Sequence, residues 1–521
     1  MVKQSSPADP SVTISQLLEV NASLTEKVQH LQNQVDWFNR QLFGRKSEKR
    51  LIDDDIIQTG LFPNSDPEVK PEAPMVTVPS HKRRKKAAHP GTPDDSGLRF
   101  DEDRVPMEVI VLPSPELEGD KAHEYQVIDE KVTYRLAQRS GPHVVLKYVR
   151  KVLKHLPTET VSSPPAPDNV LGKSVADVSF LTGMLIDKFM YHLPLYRQHQ
   201  RLLDEGIRLS RSTLTQLVHR TAMLLRPIVE AQMRHILLSR VLAMDETPIK
   251  AGRKKKDHMK QAYYWPVYGD ADEIVFCYSP TRAHRQVEAI LGDFEGTLLS
   301  DGYQAYQRYA EQRDSVTHAT CWAHLRRGFE QAIGHDDAAD RALALIGELY
   351  QVETTIKADD LDREHTLERR RERSLPLVDA FFGFCKEQCQ RHDLLPKDKL
   401  SKALKYALER ETSSRVFLSE PDVQIDTNHL ERGLRPIPMG RSNWLFCWTE
   451  IGAEYVGIIQ SLLVTCKLHD VDAYTYLVDV LQRISEHPAQ DVAALTPRLW
   501  KTRFANNVLG SDVNGVGSAD F

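Results

Sequence analysis

Hydrophobic residues first recur in heptads. With Ile14 at position a, the a series reads Ile14, Asn21, Val28, Val35 and Leu42, and the d series Leu17, Leu24, Leu31 and Phe38. A seam of this kind needs a second helix to cover it, and one Asn at an a position is a device for fixing register and strand number. The pattern predicts a coiled-coil dimerisation helix over 12–50; the alternative is an amphipathic helix packed on its own chain. Over 51–88 no helical or strand period survives. Pro63, Pro67, Pro71, Pro74 and Pro79 mark a disordered linker that ends in the basic run Lys82, Arg83, Arg84, Lys85 and Lys86. That run reads either as a solvated tract or as an arm contacting phosphates.

Short apolar runs then predict a small β-rich module over 89–160: Val109 to Leu112, Val132 to Leu136 and Val144 to Leu146. Helical periodicity fills 170–238. One helix ends near Tyr191, and a second starts at Pro194 and carries Leu195, Leu202 and Leu203. After a break at Gly206, Ser210 caps a third helix with Leu214, Leu217 and Val218 on one face. This is the helix-turn-helix pattern, and it presents Arg211, Ser212, Thr213, Gln216 and His219 outward, toward phosphates or base edges. An ordinary helical hairpin fits equally well.

From 239 to 329 strands dominate. Val241 to Met244 leads into Asp245, Ala262 to Val267 and Glu273 to Tyr278 follow, His284 to Phe294 reads as a helix, and Thr297 to Ser300 leads into Asp301. Val316 to Thr320 runs into Cys321. Three strands, a helix and a strand is the order of a ribonuclease H-like sheet. In that sheet the first and fourth strands are neighbours, so Asp245 and Asp301 would face one another. Residues 330–425 read as a helical block and 426–488 as helical after a loop. The tail is 489–521, with Ala505 to Phe521 expected to be disordered. The fold class is therefore multidomain, α+β or α/β.

Composition narrows the class. The chain has 521 residues, 41% hydrophobic and 27% charged, as in ordinary globular proteins. No run approaches the roughly 18 apolar residues of a spanning helix. The polar N-terminus lacks a signal-peptide core, so a cytoplasmic, nucleoid-associated location and no membrane partner are expected. Six cysteines are too few for a disulfide framework in a chain this long. The formal charge of −5 excludes no nucleic-acid partner, because local patches and not the total attract phosphate.

Two close carboxylates repel unless a cation sits between them, and hard oxygen donors select Mg²⁺ or Mn²⁺. A third acid would complete a two-metal site for in-line phosphoryl transfer. Glu431 is the candidate, on a helix starting near Asp426 that places Asn428, Glu431 and Arg435 on one face. Taken singly, each acid reads as a surface carboxylate.

Several motifs occur in order: Asp245-Glu246-Thr247-Pro248, Ser300-Asp301-Gly302-Tyr303, Cys321-Trp322-Ala323-His324-Leu325-Arg326-Arg327, Asn428-His429-Leu430-Glu431-Arg432, Arg435-Pro436 and Gly440-Arg441-Ser442-Asn443-Trp444-Leu445-Phe446. Tyr191-His192-Leu193-Pro194-Leu195-Tyr196-Arg197 precedes them. Together they resemble the insertion-sequence-66 family of bacterial transposases from about Leu181 to Pro488, and Leu42 to Lys49 extends the likeness toward the N-terminus. The resemblance implies a DDE transposase with a ribonuclease H-like core. Asp245, Asp301 and Glu431 would be its catalytic metal-binding triad for two Mg²⁺ or Mn²⁺ ions, with a helical insertion before the last acid. Transposon ends and target DNA would be its partners, together with a second copy of the chain and small accessory transposition proteins. Family members usually carry a cysteine-rich zinc module after the basic linker. Residues 81–156 contain no cysteine, so no zinc is expected there.

Other residues have two readings. Cys321 and His324 form a Cys-x-x-His pair, and Cys385, Cys389 and His392, spaced for one helical face, could add ligands; buried structural residues are the alternative. Lys254, Lys255 and Lys256, with Arg253 and Lys260, form a basic hairpin tip that reads as a phosphate contact or a solvated loop. Arg326, Arg327, Arg435 and Arg441 are candidate DNA contacts. Trp444 either stacks on an unpaired base or fills the core. Two rival functions remain: a structure-specific nuclease on the same fold, and a non-enzymatic DNA-binding regulator.

Overall fold

The computed structural model describes residues 98–514, except 103–104, 119–121, 139–142, 256–257, 334–335, 445–446 and 448. The heptad segment and the Lys82 to Lys86 run lie outside the described residues.

The β-rich module contains β1 (Arg99–Phe100), β2 (Met107–Val111), β3 (Tyr125–Gln138), β4 (His143–His155) and β5 (Val161–Ser162). β3 and β4 form a long antiparallel ribbon, with β2 parallel to β4 on its other side. Three helices follow: α1 (Val178–Phe189), α2 (Leu195–Asp204) and, after β6 (Ile207–Arg208), α3 (Arg211–Ile236). Asp177 and Ser210 cap α1 and α3 by accepting backbone N–H groups from Ser179 and Thr213. Gly206 makes the turn before β6 at φ +87°, a conformation that favours glycine. The helix starting at Ser210 is long: Pro227 lies on its exposed side while the buried stripe runs on through Ile228 and Val229 to Ile236, so packing overrides the missing donor.

The central sheet is built from β7 (Val241–Met244), β8 (Thr247–Lys255), β9 (His258–Tyr268), β10 (Ile274–Ser279), β11 (Gly296–Ser300) and β12 (Val316–Thr320). Its order is β10-β9-β7-β11-β12, with β8 hairpinned onto β9. β7, β11 and β12 are parallel; β9 runs antiparallel to β7 and β10. Alternation along β11 divides the interior. Leu298 faces a core shared with α1, α3 and the C-terminal helices, and Leu299 faces a second core under the helical insertion. Helices α1 and α3, expected as part of a DNA-binding unit of their own, thus belong to the same apolar core as the sheet.

Between the strands lie α4 (Arg285–Leu291) and α5 (Gln304–Glu311). The insertion runs through α6 (Trp322–Glu330), α7 (Asp337–Ala358), α8 (Arg363–Arg369), a π-helical turn at Arg370–Ser374, α9 (Leu375–Gln388), α10 (Lys399–Leu408) and α11 (Glu411–Ser414). Trp322, Phe329, Phe381 and Phe382 interlock at its centre. The chain returns through α12 (Asn428–Leu434), α13 (Pro436–Asn443), α14 (Glu450–Leu468), α15 (Ala473–Arg483) and α16 (Pro497–Arg503). α14 is long and apolar enough to cross a membrane by length and composition, but 72% of that window is buried inside the fold. It also closes the sheet edge: Ser461 and Thr465 accept the outward N–H groups of Phe276 and Ile274 on β10.

The described part of the tail, up to residue 514, departs from the expected disorder. Val513 is 1% exposed against Leu146 and Tyr148, the Tyr148 hydroxyl donates to Asp512 at 2.7 Å, and Ser511 donates to Asp177. A few well-placed contacts order a segment whose composition alone reads as unstructured.

Candidate active site

β7 and β11 are paired in parallel with Ala243 opposite Leu299. Asp245 and Asp301 each lie two residues further on, so the register brings both acids to the same edge of the sheet. Carboxylate oxygens of Asp245, Glu246 and Asp301 lie within 4.8 Å of one another. Backbone N–H groups fix two of them: Glu246 donates to Asp245 at 2.7 Å and Tyr303 to Asp301 at 2.8 Å. Burial pushes the Asp245 carboxyl up to about 7; the Glu246 N–H opposes this, and the negative charges of Glu246, Asp301 and Glu431 reinforce it.

Glu246 is the member that sequence reasoning missed. Neighbours on a strand point to opposite faces, but residues 245 and 246 fall in the break between β7 and β8, where that alternation lapses. The Glu246 side chain is 3% exposed and already occupied. It accepts from Arg282 and, at 2.6 Å, from the Tyr306 hydroxyl. Arg282 in turn stacks on Tyr303, two residues after Asp301.

Glu431 enters on α12, whose first turn is shaped by Asp426 accepting the Asn428 N–H. It stands beside Arg327 at 3.7 Å and His324 at 3.9 Å, both beyond hydrogen-bond range. Unlike Glu246, it is therefore held by no close partner at these distances.

The Cys321–His324 pair is divided between two tasks. Cys321 is fully buried, and its Sγ accepts both the N–H and the hydroxyl of Thr427 at 3.3 Å. The Trp322 N–H donates to the Ile425 carbonyl next to it. These bonds tie the start of α12 to the end of β12. His324 instead turns toward Glu431; burial holds its imidazole below the usual range, opposed by the charge of Asp301. Cys385 and Cys389 do not join them, and α9 ends at Gln388, so His392 does not share a helical face with these cysteines.

The candidate DNA contacts are scattered. Arg326 is exposed and pairs with Glu330, Arg327 and Arg435 are exposed, and Arg441 donates to the Pro248 carbonyl at 2.9 Å. Arg211 lies over the Tyr196 ring, Thr213 joins the Ser210 cap and Gln216 is exposed. His219 does not face outward as expected but packs on Tyr455. The backbone of Lys254 and Lys255 is in β8; their side chains and Lys256 are outside the described residues. Trp444 is corrected: it is 5% exposed, donates to the Lys188 carbonyl and packs on Phe189, so it fills the core rather than offering a ring to a base.

The family profile "Transposase IS66 family" matches residues 173–455, a span that contains every acid at this site. The chain belongs to the IS66 transposase family. Two further profiles agree: "IS66 C-terminal element" over 461–498 and "Transposase C of IS166 homeodomain" over 30–95. Among curated relatives, the chain is 28% identical over 508 residues to the uncharacterized protein y4hP of Sinorhizobium fredii, covering 92% of this chain and 90% of that protein. It is 29% identical over 360 residues to the uncharacterized protein y4jD of the same organism, covering 66% and 69%. Membership supports a transposase role for this IS66 protein.

Proposed function

We propose that this IS66 protein is a DDE transposase that cuts transposon ends and joins the freed 3′-OH to target DNA. One observation carries the reading: Asp245 and Asp301 end adjacent parallel strands in register, and Glu431, outside that close pair on a separate helix tied to β12, is near enough for its charge to act on Asp245. The strand order, three antiparallel strands followed by two parallel ones, supports a ribonuclease H-like core.

The donor set fits a divalent cation. It offers hard oxygens, and the Asp245 carboxyl, raised chiefly by burial and further by the neighbouring acids, is one a cation would stabilise in its charged form. Asp245, Asp301 and Glu431 would hold two Mg²⁺ or Mn²⁺ ions, which when bound activate the attacking group and stabilise the attacking and leaving oxygens. The chain supplies the rest. Backbone N–H groups aim Asp245 and Asp301, Arg282 and Tyr306 hold Glu246 in place beside them, and exposed Arg327 stands where a scissile phosphate would approach Glu431. The homeodomain profile at 30–95 supports DNA binding through the N-terminal part, where the basic run lies. Dimerisation through the heptads and help from accessory proteins belong to this reading.

A strand-transfer assay tests it. Purified protein, Mg²⁺ and labelled ends should give joined products that Asp301→Asn abolishes. Cleavage without joining in a complete reaction would favour a nuclease. DNA binding with no metal-dependent chemistry would leave a regulator.

A further inference from the structure

We infer that the turn between α1 and α2 is a stacking platform for an unpaired base at the cut transposon end, with Tyr191 as the residue that meets the base. The inference rests on the DNA-acting reading above and adds a nucleic-acid surface that the acids themselves do not supply.

The turn is held rigidly. Its carbonyls are bonded from three elements: the Trp444 indole N–H donates to Lys188 at 2.7 Å, the Gln460 amide on α14 to Phe189 at 2.7 Å, and the Gln198 amide on α2 to Leu193 at 2.9 Å. The backbone N–H groups of Tyr191 and Leu193 donate back to the Ile186 and Asp187 carbonyls. Gly440 lets the indole lie against α13, since a Cβ there would fall 2.2 Å from the Trp444 ring. The buried Trp444 is thus a support for this turn.

What the support displays is Tyr191. Between the anchors His192 takes φ +57°, a left-handed conformation disfavoured for a residue with a side chain. Such strain persists only where the surrounding structure imposes it. Tyr191, just before it, is 68% exposed, and among the described residues its side chain makes no hydrogen bond and no ring contact. The fold holds an aromatic ring in water on a fixed backbone and gains no packing from it. Tyr196, 57% exposed in the first turn of α2, adds a second ring, with the Arg211 guanidinium 5.9 Å from its centre and Arg197 exposed next to it in sequence.

The occupant follows from chemistry and place. Exposed rings beside guanidinium groups suit bases and their phosphates, and stacking on a ring accepts any base. Paired bases hide their faces in the duplex, whereas an unpaired base beside a cut offers one. α13 joins the turn to the acid site: three residues before Trp444, Arg441 bonds the carbonyl of Pro248, itself two residues past Glu246.

The probe is end DNA of the element in two forms, fully paired and with a short unpaired overhang at the cut, the overhang carrying iododeoxyuridine for photocrosslinking. Each is bound to the full-length protein in chelator. Wild type should prefer the overhang form and crosslink to it through Tyr191. Tyr191→Ala should lose the crosslink and roughly 5- to 150-fold in affinity for the overhang form, while binding the paired form as before with unchanged far-ultraviolet dichroism. Tyr191→Phe keeps the ring and should keep the preference. Equal weakening on both forms, a wild-type crosslink outside this turn, or a Tyr191→Phe that behaves like the alanine variant would overturn this inference and leave the acid-site reading standing. So would a change of oligomeric state in DNA-free Tyr191→Ala, which would assign the ring to a second copy of the chain. Wild type that binds neither form would overturn the DNA-acting reading and this inference with it.

Discussion

Thr427 gives both its backbone N–H and its hydroxyl to the sulfur of Cys321, 106 positions earlier in the chain. With the Trp322–Ile425 backbone bond beside it, this pair lets the end of the central sheet hold the helix that carries Glu431. Cys321→Val preserves the volume and removes the acceptor, which leaves two buried donors without a partner. A loss of on the order of 2 kcal/mol is expected, read as a lower denaturation midpoint. Cys321→Ser keeps an acceptor and should lose less. If the two variants unfold alike, the sulfur is only filling space.

Arg370 acts on the same segment from the insertion. Its side chain is 4% exposed, pairs with Glu353 at 2.7 Å, and donates to the carbonyls of Phe417, Glu420 and Val423 in the loop that leads to Asp426. The π-helical turn beginning at Arg370 is a local departure of the kind that re-aims a side chain. Arg370→Met would strand the Glu353 carboxylate and three carbonyls, a loss of about 3–5 kcal/mol. Arg370→Lys cannot reproduce the fork and should recover only part of it. Chemical denaturation of the two variants checks both statements.

Metal-free Asp245→Asn should be more stable than wild type at pH 8. Burial and three neighbouring acids hold the Asp245 carboxyl near 7 instead of the usual 3.8, so folding works against its ionisation. The sign follows: the wild type loses stability as pH rises from about 4 to 7, and the amide does not. The gain is on the order of 4 kcal/mol at pH 8 and nil at pH 4. Added Mg²⁺ should reverse the order, because it stabilises only the intact acids. Thermal melts with chelator and with Mg²⁺ at both pH values check this; a variant less stable than wild type in chelator at pH 8 would contradict it.

Acid should weaken the fold before its carboxylates titrate. Burial pushes His219 and His318 down to about 4, helped by the Lys188 and Arg410 cations respectively. Both rings are neutral in the fold and take up a proton on unfolding below about 6.5. Their contribution is therefore complete above pH 6.5 and is lost as pH falls toward 4, by up to about 1.4 kcal/mol per pH unit for each ring. His318→Gln can still hydrogen-bond Ser300, and it should flatten the stability–pH curve in this window. An unchanged slope would show that other groups govern it.

The sheet was legible because its strands obey simple patterns. Val241–Met244 and Thr297–Ser300 are short apolar runs ending in an acid, and parallel neighbours with equal run-out place those acids together. The docked tail was illegible because Val513, Asp512 and Ser511 find their partners far away in the chain, which composition cannot show. Trp444 was ambiguous for a related reason: the Lys188 carbonyl that takes its N–H lies 256 positions earlier. The convergence of Glu246 with Asp245 required a break in strand alternation that only the fold displays.

Glu246 and Glu431 make the sharpest comparison, since either could be the third acid beside Asp245 and Asp301. Glu246 is nearer, but its Oε1 is engaged by Arg282 and its Oε2 by the Tyr306 hydroxyl, so a cation would have to share a carboxylate that already holds two partners. Among the described residues the Glu431 carboxylate meets Arg327 and His324 at 3.7 and 3.9 Å, beyond hydrogen-bond range, and it is 32% exposed, so it can move onto a cation at little cost. Glu431→Gln should therefore fold like wild type and lose metal-dependent DNA cleavage by at least about 10³-fold, the scale of removing one strong charge-stabilising group. Glu246→Gln should lower the melting temperature by weakening the Arg282 pair while retaining most of the metal-induced stabilisation. The reverse pattern, with Glu246→Gln abolishing metal binding and Glu431→Gln retaining it, would move the triad to Asp245, Glu246 and Asp301.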